Sequence, residues 1–124
     1  MKKNILIIED DQNIEELQKD YLEMSDYSVT VACNGTDGMS LISSMRFDLI
    51  ILDLMLPGKD GFEILKEIAD TKEIPVLVVS ARGDEMSKIK GLNLGADDYI
   101  TKPFSMGELV ARTVSNLSPV RNLS

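Results

Sequence analysis

One stretch limits the fold more than any other: Phe47 to Gly61, which reads FDLIILDLMLPGKDG. Its apolar part, Leu49, Ile50, Ile51 and Leu52, is too short for an ordinary helix and shows no polar face, so it reads as a strand buried on both sides. Such a strand needs helices above and below it, which is the setting of a parallel sheet. The run stops at Asp53, and Pro57, Gly58, Asp60 and Gly61 follow as a cluster of turn formers. A carboxylate thus stands at the carboxyl end of a buried strand, the edge at which parallel α/β sheets bind ligands.

The remaining chain repeats the pattern. Asn4 to Ile8 is a second apolar run, followed by Glu9, Asp10 and Asp11. Gln12 to Met24 has Ile14, Leu17 and Tyr21 at helical spacing, with Asp11 as its cap. Ser28 to Cys33 alternates as a short strand that leaves Cys33 partly buried at its end; Asn34-Gly35 turns into a helix over Thr36 to Met45, capped by Thr36 and weakened by Gly38. Phe62 to Ala69 is a helix, Val76 to Val79 a strand ending in Ser80-Ala81, and Asp84 caps a helix that carries Met86, Ile89 and Leu92 and stops at Gly95. A short strand, Asp98 to Thr101, leads into Lys102-Pro103, and Ser105 with Glu108 forms a capping box for a last helix to Leu117. This alternation predicts a doubly wound five-stranded parallel sheet with five helices and right-handed crossovers, in one domain over residues 1–117. Residues 118–124 lose periodicity and read as a tail or the start of a linker.

Composition closes off several functions. The 124 residues carry a formal charge of −8, which disfavours contact with nucleic-acid phosphates, so a DNA partner requires an output domain absent from this chain. There is no histidine, which removes Ser-His-Asp and Cys-His catalysis, and the single cysteine provides neither disulfide nor zinc site. No nucleotide-binding glycine loop occurs. No membrane segment or secretion signal is present in the sequence, which reads as cytoplasmic.

The strand ends collect Glu9 and Asp10 from the first strand, Asp53 from the third, Ser80 from the fourth and Lys102 from the fifth at one sheet edge. Three carboxylates in one cleft repel one another and call for protons or cations. Lys102 supplies one charge, and hard all-oxygen ligands suit Mg²⁺. A carboxylate in that company can take up a phosphoryl group covalently; the same acids can equally be a solvated loop and helix caps.

The segments ILIIEDD (5–11), DLIILDLMLPGKDG (48–61), VLVVSA (76–81) and GADDYITKPF (95–104) resemble the CheY-like receiver domain of two-component response regulators. GADDYITKPF with the following GELVAR resembles the OmpR/PhoB-like subgroup of transcription regulators. The resemblance implies a flavodoxin-like fold and a phosphoprotein that is a signalling switch rather than an enzyme. Asp53 would be the phosphoacceptor, served by a sensor histidine kinase. Asp10, Asp53 and the Met55 backbone carbonyl would ligate Mg²⁺, with Glu9 assisting through water. Ser80 and Lys102 would hold the phosphoryl oxygens, and Tyr99 would enter the space that Ser80 leaves. Activation would make a two-fold homodimer through Lys88 with Glu108, Asp97 or Asp98 with Arg112, and an apolar patch of Ile89, Leu92 and Val110, of which one at least should be buried in the monomer. The Lys102-Pro103 bond would be cis.

Three rivals differ in what they require. An aspartate-nucleophile phosphatase needs a second acid two residues after the first, where this chain has Met55. A flavodoxin-like cofactor binder needs a hydroxyl- and glycine-rich phosphate loop after the first strand, where this chain has EDDQN. A stand-alone receiver that signals by protein binding shares every residue of the site.

Overall fold

The computed structural model describes residues 2–58, 60–71 and 73–118. Five strands and five helices alternate: β1 Asn4–Ile8, α1 Gln12–Met24, β2 Ser28–Ala32, α2 Gly35–Ser44, β3 Leu49–Asp53, α3 Gly61–Thr71, β4 Val76–Ser80, α4 Glu85–Asn93, β5 Asp98–Thr101 and α5 Met106–Leu117. The strands form one parallel sheet in the order β2-β1-β3-β4-β5. All five residues of β3 and of β4 are buried, as unbroken apolar runs require when helices cover both faces.

Alternation along the strands divides the core in two. Leu6, Ile8, Ile50, Leu52 and Val78 face a cluster that includes Ile42 of α2 and Phe62, Leu65 and Ile68 of α3. Ile5, Ile7, Ile51, Leu77 and Val79 face the other way, onto Leu22 of α1 and Leu109 of α5. Each such side chain is worth about 1.5–3 kcal/mol when fully buried, so a one-residue slip that exchanged the faces would be prohibitive. The sheet register is therefore fixed, and with it the set of residues that leave the sheet together.

Helix starts follow local capping chemistry. Asp11 accepts the N–H groups of Asn13 and Ile14, Asp84 that of Ser87 and Ser105 that of Glu108, as the sequence leads one to expect. The Glu108 carboxylate does not turn back toward its cap but meets Arg112 Nη2 at 3.6 Å. α2 begins one residue before the expected Thr36, because the Asn34 side chain is the cap and accepts the Asp37 N–H at 2.8 Å. α3 takes in Gly61 and runs on to Thr71, two residues past Ala69.

Two further expectations are corrected. β2 ends at Ala32, so Cys33 stands beyond the ladder and is exposed. In α1 the buried residues are Gln18 and Leu22, while Leu17 and Tyr21 remain 46% and 42% exposed. The helix rests on one apolar line and leaves the other free. Ser118 caps α5, and the rest of the expected tail lies outside the described residues. No helix among the described residues is long and apolar enough to cross a membrane.

Candidate functional site

β1, β3, β4 and β5 are neighbours in the sheet and end at the same edge, so the residues after their apolar runs converge. Ile8 pairs with Leu52 and Asp53 with Val79, which sets Glu9 beside Asp53. At the far side Ser80 pairs with Thr101, and the Lys102 N–H donates to the Ser80 carbonyl at 2.8 Å, extending the ladder by one rung. Lys102 then reaches back across the edge. Its Nζ donates to Glu9 Oε2 at 3.0 Å and to Asp53 Oδ2 at 3.1 Å.

The pocket floor is dry and its mouth is wet. Glu9 and Asp53 are 2% and 4% exposed, whereas Asp10 is exposed. One oxygen from each of these three carboxylates lies within 4.8 Å of the others. Burial, reinforced by the Asp53 charge, raises Glu9 from its ordinary 4.5 to about 7 even though Lys102 pulls the other way. Burial by itself would lower Lys102, but its bonds and proximity to Glu9 and Asp53 outweigh that and raise it. The lysine therefore stays charged, and the surplus negative charge of the trio invites a proton on Glu9 or a divalent cation.

The backbone supports the carboxylates. Met55 N–H donates to Asp53 Oδ1 at 2.9 Å, and Asp11 N–H to Glu9 Oε1 at 3.3 Å. The chain can turn this tightly after Asp53 because a side chain at Gly61 would run into the Leu54 backbone. The Met55 side chain points to solvent, half exposed. Ser80 is fully buried, and its hydroxyl accepts the Arg82 N–H at 3.1 Å. Tyr99 lies inward, 8% exposed, and its O–H donates to the Arg82 carbonyl at 2.6 Å.

A family model described as the response regulator receiver domain matches residues 5–114. The chain belongs to this family. Receiver domains are signalling domains rather than enzymes in the ordinary sense. Among solved structures, the receiver domain of Francisella response regulator 1452 is 35% identical, with a TM-score of 0.89 over 94% of this chain and 97% of that one. The BeF3-activated N-terminal receiver domain of Klebsiella pneumoniae RstA is 32% identical, with a TM-score of 0.88 over 93% and 98% of the two chains. DrrB, a Thermotoga maritima OmpR/PhoB homologue, is 35% identical with a TM-score of 0.86; the match takes in 94% of this receiver domain and 53% of that longer chain. This last likeness supports the OmpR/PhoB-like subgroup.

The structure brings Glu9, Asp10, Asp53, Ser80 and Lys102 to one edge, and the Lys102-Pro103 bond is cis. The residues expected at a dimer surface make contacts of their own within the single chain. Arg112 Nη1 binds Asp98 Oδ1 at 2.9 Å within the same chain, and Asn116 Nδ2 donates to Asp98 Oδ2 at 3.2 Å. The Asp97 carboxylate accepts the Val76 N–H at 2.9 Å, and so fastens the start of β4. Ile89 and Leu92 are about half exposed and Val110 is partly buried, so none of the three is a core residue. Lys88 is partly buried on α4.

Two features at the mouth went unread in the sequence. An apolar groove formed by Ile14, Leu17, Pro103, Phe104 and Met106 has Lys102 on its wall. On the opposite side, Lys90 Nζ sits 4.3 Å and the Arg82 guanidinium 5.8 Å from the centroid of the Phe62 ring. The only hint in the sequence was two cations, Arg82 shortly after Ser80 and Lys90 within α4, in an acidic chain.

Proposed function

We propose that this receiver domain accepts a phosphoryl group on Asp53 from the phosphohistidine of a sensor histidine kinase. The observation that carries the reading is Lys102 bound at once to Glu9 and Asp53 inside a cluster of three carboxylates. An Asp53 oxygen attacks phosphorus, the phosphorus–nitrogen bond breaks, and its electron pair returns to the donor imidazole. Lys102, already at the Asp53 carboxylate, turns its charge to the phosphoryl oxygens, with the Ser80 hydroxyl as a second donor. The donor set fits Mg²⁺: hard oxygens only, from Asp10, Asp53 and the Met55 carbonyl, with Glu9 behind them. When bound, the ion neutralises charge on the transferring group.

The switch runs through a short relay. A Ser80 hydroxyl that turns to the phosphoryl group gives up the Arg82 N–H, and the Arg82 carbonyl is the anchor of Tyr99. A local charge change thereby biases the packing under α4 and β5. The α4, β5 and α5 surface then makes a two-fold dimer, with Arg112 exchanging its Asp98 within the chain for a partner's acid. The kinase docks over the Ile14, Leu17 and Phe104 groove, the apolar surface that adjoins Lys102. Likeness to the OmpR/PhoB homologue DrrB supports transcription control through a following output domain.

Incubation with acetyl phosphate and Mg²⁺ should add the mass of one phosphoryl group to the natural protein and none to Asp53→Asn; equal masses would refute the assignment. Sedimentation of the beryllofluoride-activated protein should show a dimer that Glu108→Lys weakens at least tenfold. An unchanged dimer would place the interface elsewhere.

A further inference from the structure

α4 is attached to the molecule in an unusual way. Of its nine residues only one is buried, and that residue is Gly91. Met86, Ile89 and Leu92, which give the helix its apolar character, are 82%, 50% and 47% exposed. β5 is the element that α4 chiefly contacts. A glycine inside a helix lowers its local stability about fivefold relative to alanine, so a short helix that keeps one at its sole buried position requires a reason in packing.

The reason is the ring of Tyr99. A Cβ at position 91 would lie 3.2 Å from both Cδ2 and Cε2 of Tyr99, closer than the about 3.5–4.0 Å at which carbon atoms rest. The ring has little freedom to withdraw. Its hydroxyl is tied to the Arg82 carbonyl at 2.6 Å, and the ring is packed within the core cluster that contains Val78 and Ala96. The helix backbone thus abuts the Cδ2–Cε2 edge of the ring, with no intervening side chain to absorb a displacement.

We propose that Gly91 is the seat through which Tyr99 positions α4, so that ring and helix move as one. Gly91 is a positioning residue: it touches neither Asp53 nor a phosphoryl group and acts through Tyr99. A displacement of the ring shifts the helix backbone and the exposed Met86, Ile89 and Leu92 with it. The use of this coupling in signalling rests on the phosphorylation reading above; the seat itself does not.

The test uses the unphosphorylated protein, hydrogen exchange of the α4 amides and the ring resonances of Tyr99. Gly91→Ala should leave α4 protection unchanged or lowered and should shift the Tyr99 ring resonances, because the added methyl group collides with the ring. In a Tyr99→Leu background the same substitution should raise α4 protection about fivefold, the gain expected from helix propensity alone. A fivefold gain in both backgrounds, with the Tyr99 resonances unmoved, overturns the proposal. Should the leucine variant fail to fold, Tyr99→Phe frees the ring from Arg82, and Gly91→Ala must then raise protection more than it does beside Tyr99; an equal response overturns it. A natural protein that did not respond to beryllofluoride would count against phosphorylation and would leave these results standing.

Discussion

The mouth of the acidic pocket has two unlike sides. Toward α1 and α5 it is apolar, with Ile14, Leu17 and Phe104 around the stem of Lys102. Toward α3 and α4 it is polar, with Asp10, Asp60, Arg82 and Lys90 around the edge of Phe62. Under the proposed phosphoacceptor role, the difference would separate two ways of delivering the phosphoryl group. A protein donor gains affinity by burying apolar area, whereas a small anionic donor offers little area and responds to charge. Under the proposed role, one floor, made of Glu9, Asp53 and Lys102, would serve both.

That shared floor should show the largest effect. Glu9 titrates near 7 in the folded protein and at its ordinary 4.5 when unfolded. Below pH 4.5 it is protonated in both states and its contribution is complete; the contribution is lost as pH rises to about 7. Urea unfolding of the metal-free protein should therefore show roughly 3 kcal/mol less stability at pH 7.5 than at pH 4.5 from this group, a slope that Glu9→Gln removes. A slope unchanged in Glu9→Gln would mean the floor is not the source.

The apolar side comes next. Leu17→Asp combined with Phe104→Ala should slow phosphotransfer from a sensor histidine kinase about a hundredfold, close to 2.7 kcal/mol, while the rate with acetyl phosphate changes less than twofold. Parallel loss in both assays would erase the distinction between the sides. The smallest effect belongs to the cationic side, where screening by solvent is strong. Lys90→Ala should reduce the rate with acetyl phosphate about threefold at low salt, with the difference vanishing at about 0.5 M salt, where the Debye length falls to about 4 Å. A salt-independent loss would point to altered packing of Phe62 instead.

The floor was legible in the sequence and its walls were not, for a physical reason. Glu9, Asp53 and Ser80 each follow a buried apolar run and Lys102 follows the short strand Asp98–Thr101, and in a parallel sheet the end of a strand is a position in space. α1 offered no comparable constraint. Ile14, Leu17 and Tyr21 have correct helical spacing, yet Leu22 and the polar Gln18 take the buried side, because packing against the sheet chooses between two lines that the sequence leaves equivalent. Asp98 and Arg112 illustrate a different limit. Complementary charges were evident, but a sequence does not distinguish a partner in the same chain from one in a second copy. Gly91 carries no signal in the sequence, although it is the one buried residue of α4 and the one on which that helix rests.

The bond from Lys102 to Glu9 joins residues 93 positions apart. During synthesis the acids that end β1 and β3 leave the ribosome long before their counter-charge does, and the Asp53 carboxylate has no lysine partner until β5 has closed the sheet. A chain interrupted between β3 and β5 would carry Asp53 without the lysine that binds it. Under the proposed role, uptake of phosphate would certify that the sheet has closed, and a chain without β5 would stay silent.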